Sequence, residues 1–171
     1  MKKAFTLVEL LVVISIMSIL TIVTVSQFRT ARKRANDVAR KGDLNAVAKA
    51  LQLYFADFGE MPDMDDPVGG QIKIKSSVIA WGGEFKDGTN YTYMIKLPTE
   101  NATGGWPQYC YKTDSANKKY ALFAKLEVAS DSECKDIDKN DVGDYFCGGV
   151  SGYCYANVSP NASLNSNGDL L

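Results

Sequence analysis

The sequence predicts an α+β chain: one long N-terminal α-helix, membrane-spanning in its first half and amphipathic in its second, packed against a small antiparallel β-sheet head. Three observations carry this. Leu10 to Phe28 is a run of nineteen residues without a charge, which at about 1.5 Å rise per residue nearly crosses a hydrocarbon core of about 30 Å. Beyond it Ala31, Ala35, Val38, Leu44, Val47, Ala48, Leu51, Tyr54, Phe55 and Phe58 recur mainly at spacings of three and four, the mark of one apolar helical face. After Phe58, short apolar runs alternate with turn residues, and all four cysteines lie there.

The first segment begins with Lys2 and Lys3 and carries a single charge, Glu9, just before the uncharged run. A cleavable secretory signal has an apolar core of about 7 to 15 residues and then a small-x-small site. This run is longer, and "SQFRTARKRA" after it is a poor site, so the segment reads as a membrane anchor. Glu9 then needs a partner, because a carboxylate in a membrane helix costs about 2.5 to 3.5 kcal/mol near the centre and less towards the ends. The bland alternative is a glutamate that snorkels to the headgroups.

The chain has 171 residues and a formal net charge of -1, room for one modest core and no basic excess of the kind nucleic-acid binders show. The charge is unevenly placed. Residues 29 to 41, "RTARKRANDVARK", hold six Arg or Lys against one Asp, whereas residues 42 to 171 hold eleven basic and eighteen acidic residues, a net of -7. A basic collar separates an apolar stem from an acidic head. There is no histidine, which removes the usual general base and the Ser-His and Cys-His nucleophile pairs. An exported, membrane-anchored enzyme is therefore the weakest function class, and the chain reads as no enzyme. Cys110, Cys134, Cys147 and Cys154 are even in number, and with a membrane-targeting start they suggest two disulfides in an oxidising compartment. A zinc site is the alternative, but no pair has CxxC spacing.

"KKAFTLVELLVVISIM" resembles the processing and assembly signal of type IV pilins and pseudopilins: a basic leader, a small residue, then Phe-Thr-Leu-Val-Glu opening an apolar helix. The resemblance implies that residues 1–4 are a leader. A prepilin peptidase would cut the Ala4-Phe5 bond and methylate the Phe5 amine. The family usually has Gly where this chain has Ala4, a departure that bears on processing. Glu9 would pair with the N-terminal amine of a neighbouring subunit during assembly, and in a medium of low dielectric an ammonium and a carboxylate offset each other's desolvation only when they meet. The implied partners are copies of the chain itself in a helical homopolymer, the prepilin peptidase, an inner-membrane assembly platform, and membrane lipid before assembly. The implied location is the cytoplasmic membrane, single-pass with the head outside, and then an extracellular or periplasmic filament. Positive-inside logic points the other way, since the collar outweighs Lys2 and Lys3; the cysteines and the resemblance favour the head outside.

Residues 5–28 thus form the transmembrane and assembly half of the helix and 29–58 its amphipathic half, as one helix from about Phe5 to about Asp57. Gly59 offers a cap and Pro62 a stop. Many pilins break the membrane half with Gly and Pro; Phe5 to Phe28 has neither, so a continuous helix is expected. Residues 59–171 form the head. "QIKIKS" alternates Ile72 and Ile74 with lysines, and two strands, Gln108 to Thr113 and Lys119 to Glu127, flank a polar turn. The strand "YALFAKLE" resembles the one after the central hairpin of pseudopilin-like heads, whereas the tail from Val128 resembles nothing specific.

In that tail, Cys147 and Cys154 flank a glycine-rich stretch whose spacing favours a bond between them, leaving Cys110 to pair with Cys134, one of three possible connectivities. The bland alternative is that Cys110, inside a strand, is a buried thiol. "DIDKNDVGDYF" offers Asp136, Asp138, Asn140 and Asp144 as alternating oxygen donors of the kind Ca²⁺ takes. It fails as an EF-hand, with Asp141 at the sixth position and Cys147 at the twelfth. Pseudopilin resemblance implies Ca²⁺ as the candidate cofactor, and a solvated acidic loop is the competing account. Asn90, Asn101, Asn157 and Asn161 lie in N-x-[ST] sequons, read here as coincidence. Three functions result: a structural subunit, pilin or major pseudopilin, of a type IV pilus-like fimbrium or type II secretion-like filament; a minor pilin for adhesion or DNA uptake; and an exported anchored protein of other function. The acidic head argues against direct nucleic-acid contact.

Overall fold

The computed structural model describes residues 5–65, 70–88, 91–99, 109–128, 130–134, 143–147 and 150–171. In chain order the elements are helix α1 (Leu7–Phe58) and strands β1 (Asp63–Met64), β2 (Ile72–Ile74), β3 (Ser77–Ile79), β4 (Phe85–Lys86), β5 (Thr92–Met94), β6 (Tyr109–Thr113), β7 (Tyr120–Ala124), β8 (Gly143–Cys147), β9 (Val150–Gly152) and β10 (Tyr155–Val158). The chain divides into two compact units, residues 1–36 and 37–171; α1 begins in the first and ends in the second.

In the first unit, α1 is long and apolar enough to cross a membrane, and its side chains from Leu7 to Ile22 are all exposed. The hydroxyls of this stretch bond back along their own helix. Ser15, Ser18 and Thr21 donate to the carbonyls of Leu11, Ile14 and Met17 at 2.8, 2.7 and 2.7 Å, which satisfies polar groups that lipid could not. No Gly or Pro interrupts the segment, and α1 runs as one element, as the sequence leads one to expect.

The second unit is built around β7. All five of its residues are buried, the reading of a strand covered on both faces. It is central in the order β10-β7-β6 and antiparallel to both neighbours, with Ala124 opposite Tyr155 and Tyr109, and Ala121 opposite Val158 and Lys112. Alternation sends its side chains two ways. Tyr120, Leu122 and Ala124 join Tyr109 and Tyr111 of β6 and the buried α1 residues Leu44, Val47, Leu51 and Tyr54 in one core. Ala121 and Phe123 join Cys110, Tyr145, Cys147 and Tyr153 in another. The helix covers one face of the sheet and the β8–β9 pair the other.

The helix ends where its chemistry says it should. Gly59 has φ +70°, its N–H bonds the Phe55 carbonyl at 2.7 Å, and only a residue free of Cβ crowding takes that conformation without strain. α1 has no basic residue in its last turn, but Lys118 from the β6–β7 turn donates to the Gly59 carbonyl at 2.5 Å, supplying a cation at the negative end of the helix. Met61 N–H bonds Asn117 O at 2.7 Å in the same turn.

Several expectations change in detail. The helix starts at Leu7 and reaches Phe58, and the two hairpin strands shorten to β6 and β7. The tail, in which no strand was expected, adds β10 to the free edge of β7. Instead of one sheet there are four small ones, β1-β2-β3, β10-β7-β6, β4-β5 and β8-β9, all antiparallel.

The disulfide pairing is corrected. Cys110 bonds Cys147 and Cys134 bonds Cys154, in place of the expected Cys147–Cys154 and Cys110–Cys134. Ladder register explains why. Cys147 stands opposite Val150 and Tyr145 opposite Tyr153, so Cys154 lies about three residues, or about 10 Å, along the ladder from Cys147. That exceeds the roughly 7 Å Cα limit for a bridge. Cys110 points off the sheet face that the β8–β9 pair covers, which brings Cys147 to it. Cys154 meets the far end of β7, its N–H on the Ala124 carbonyl at 3.3 Å, where the chain to Cys134 departs.

Candidate functional site

At the start of α1, Thr6 and Glu9 bond reciprocally. The Glu9 N–H donates to Thr6 Oγ1 at 3.3 Å, while the Thr6 N–H and hydroxyl both donate to Glu9 Oε2 at 2.8 Å. This is a capping box: two helix N–H groups that have no partner within the helix are satisfied, and a carboxylate sits at its positive end. The Thr-x-x-Glu spacing that announces it stands in the sequence, yet Glu9 there read only as a charge in want of a partner. Both bonds that Glu9 accepts fall on Oε2, and Oε1 takes no hydrogen bond among the described residues. Phe5, 85% exposed, precedes the box. Ala4 lies outside the described residues.

One carboxylate thus holds its own helix start through one oxygen. An ionised carboxylate offers about four acceptor sites, so a second cationic donor can be added without breaking the cap.

The basic collar is two things rather than one. Arg29, Arg32, Lys33 and Arg34 are exposed. Arg40 and Lys41 are engaged by the head. Asp37, 1% exposed, accepts from Arg40 Nη1 at 2.6 Å and from the backbone N–H groups of Glu127 and Val128 at 2.8 and 3.0 Å, while Arg40 Nη2 donates to Glu127 Oε1 at 2.8 Å. A buried charge pair is tolerated when further hydrogen bonds support it, and here two backbone N–H groups and Glu127 add them. Lys41 Nζ donates to Asp131 at 2.8 and 2.9 Å and to Glu133 at 2.5 Å, and lies 5.3 Å from the Tyr155 ring centroid. Burial works against the Lys41 charge, but its hydrogen bonds to Asp131 and Glu133 outweigh it and raise its pKa. The Lys41 hydrogen bond holds Asp131 below its ordinary value. The chain leaving β7 is thereby fastened to α1 at residues 127, 128, 131 and 133, one residue short of the Cys134–Cys154 bond.

Among the donors considered for calcium, Asp136, Asp138 and Asn140 lie outside the described residues, and Asp144 belongs to β8. Among the described residues no group of three or more Cys, Asp or Glu side chains is placed to hold a metal ion.

Residues 1–25 match the family model described as the prokaryotic N-terminal methylation motif. The chain is 46% identical over 55 residues to the type IV wide pilus major component PilA4 of Thermus thermophilus, a match covering 32% of this chain and 42% of that protein. It is 30% identical over 99 residues to the type II secretion system core protein G of Pseudomonas aeruginosa, covering 58% of this chain and 67% of that protein. The chain therefore spans less than half of the Thermus protein and two thirds of the Pseudomonas one. No solved structure matches it significantly.

Proposed function

The chain belongs to the type IV pilin and pseudopilin family, and from that membership we propose that it is a structural, non-enzymatic filament subunit that is cut between Ala4 and Phe5, methylated on the Phe5 amine, and polymerised through α1. The observation that carries the reading is the start of α1. A capped carboxylate, one oxygen of which takes no hydrogen bond among the described residues, opens a helix whose side chains from Leu7 to Ile22 are all exposed. Such a segment is covered by lipid or by other copies of itself.

In this account the uncut chain sits in the cytoplasmic membrane as a single span with its disulfide-bonded head outside, where thiols oxidise. The prepilin peptidase removes residues 1–4, and an inner-membrane platform moves the subunit into a helical homopolymer. Each new Phe5 ammonium then meets Glu9 Oε1 of a neighbour. Calcium at Asp136, Asp138, Asn140 and Asp144 is a further proposal of the same reading, supported by donor chemistry alone. Two relatives are a major pilus component and a secretion core protein, which favours the main structural subunit over a ligand-binding minor one.

Intact-mass and N-terminal peptide analysis of protein taken from its native membrane tests the processing step. The expected product begins at Phe5 and is one methyl group heavier than the unmodified chain. A product that retains Met1, or begins beyond Ser26, contradicts the proposal.

A further inference from the structure

Four cations of the collar differ from the other two. Arg29, Arg32, Lys33 and Arg34 are all exposed, and none makes an ion pair among the described residues. Arg40 and Lys41, in the second unit, are instead paired with acids of the head. The four lie in the unit that ends at Asn36, on the same helical stretch as the apolar run.

We propose that Arg29, Arg32, Lys33 and Arg34 form a site for the headgroups of anionic phospholipids, on the side of the membrane where the apolar run ends at Phe28. Their depth is set by helix geometry. Phe28 closes the run of nineteen uncharged residues, and at about 1.5 Å per residue Arg29 stands about 1.5 Å and Arg34 about 9 Å past it. Headgroups occupy about 5 to 8 Å on each side of the hydrocarbon core, so the four cations stand in that layer and hardly beyond it. Arg29, Arg32 and Lys33 are spaced i, i+3 and i+4, which puts them on one face, with Arg34 on its flank. Three of the four are arginines, whose planar fork matches phosphate oxygens two at a time. A basic cluster directly beside a span is the arrangement that anionic lipid attracts.

The site also accounts for the charge that runs against the positive-inside tendency. A topology signal there would draw the head inwards; a lipid ligand holds the span at a fixed depth until the subunit leaves the membrane. The inference rests on the membrane residence in the proposed function, and its test separates the two.

The mature full-length chain is reconstituted into vesicles of equimolar phosphatidylglycerol and phosphatidylcholine carrying trace spin-labelled lipid of either headgroup. Electron paramagnetic resonance then reads the relative association of each lipid with the protein. The parent is expected to prefer phosphatidylglycerol several-fold. The Arg29→Gln, Arg32→Gln, Lys33→Gln, Arg34→Gln variant, still helical by circular dichroism, should show a ratio near one, whereas replacing the three arginines by lysine should keep a preference. Equal association in the parent, or an undiminished preference in the glutamine variant, overturns the proposal. If the parent shows no preference but the glutamine variant loses filaments, the collar contacts the acidic head of another copy, and the lipid site is wrong. Retention of the parent in vesicles through an alkaline carbonate wash without headgroup preference defeats this inference alone; release by that wash defeats the membrane reading beneath it as well.

Discussion

Lys41 and Asp131 hold each other's charges in opposite directions, Lys41 raised above 10.5 and Asp131 lowered below 3.8. A lowered carboxylate contributes stability that is present above its unfolded value and lost as pH falls through the folded one; a raised amine contributes stability present below its unfolded value and lost as pH rises through the folded one. Their shared contribution therefore spans the interval between about pH 4 and about pH 10.5. Because both side chains are partly solvated, it is small, about 1 kcal/mol or less. Lys41→Met keeps an unbranched side chain of similar length and removes the charge. Thermal unfolding of parent and variant across pH should give a Tm gap that is widest near neutrality and closes below about pH 4. A gap that persists unchanged in acid would assign the contribution of Lys41 to packing.

Among elements, β7 organises the head, and the two disulfides tie its surroundings. Cys110–Cys147 joins β6 to the β8–β9 pair that covers the second face, and Cys134–Cys154 joins the chain leaving β7 to the start of β10. Non-reducing peptide mapping should recover those two linkages and no Cys147–Cys154 peptide. Replacing either pair with serine should cost about 2 to 5 kcal/mol, the usual loss in a small exported domain, seen as a lower denaturant midpoint; recovery of the Cys147–Cys154 peptide contradicts the register described for β8 and β9. This is also where legibility in the sequence runs out. α1 was readable because its apolar spacing and its stop at Gly59 are local signals, and β6 and β7 because a polar turn links them. The Cys110 partner was not, because Tyr109, Cys110 and Tyr111 are all buried, and nothing in a strand covered on both faces says which side meets the helix. β10 was hidden for a related reason: "YANV" is four residues of mixed character, and its partner Tyr120–Ala124 lies far back in the chain, so only the folded sheet defines it. At the helix start the resemblance pointed to Glu9, but the cap with Thr6 needed only the Thr-x-x-Glu spacing to be read as a helix signal.

For the whole molecule, the account depends on Glu9 serving two purposes, capping α1 through Oε2 and receiving a neighbour's Phe5 ammonium through Oε1. Glu9→Gln separates them. Glutamine also serves at the third position of a capping box, so the helix start, the membrane span and the head should survive, and the uncharged amide is less costly in lipid. It cannot neutralise a buried ammonium, which would then be left unpaired in a medium of low dielectric. The direct measurement is filament yield from cells carrying the native assembly machinery, comparing Glu9→Gln with the parent while following processing at Phe5 and retention in the membrane. The account predicts a variant that is processed and membrane-resident yet yields no filaments; filaments formed as abundantly as by the parent would contradict it.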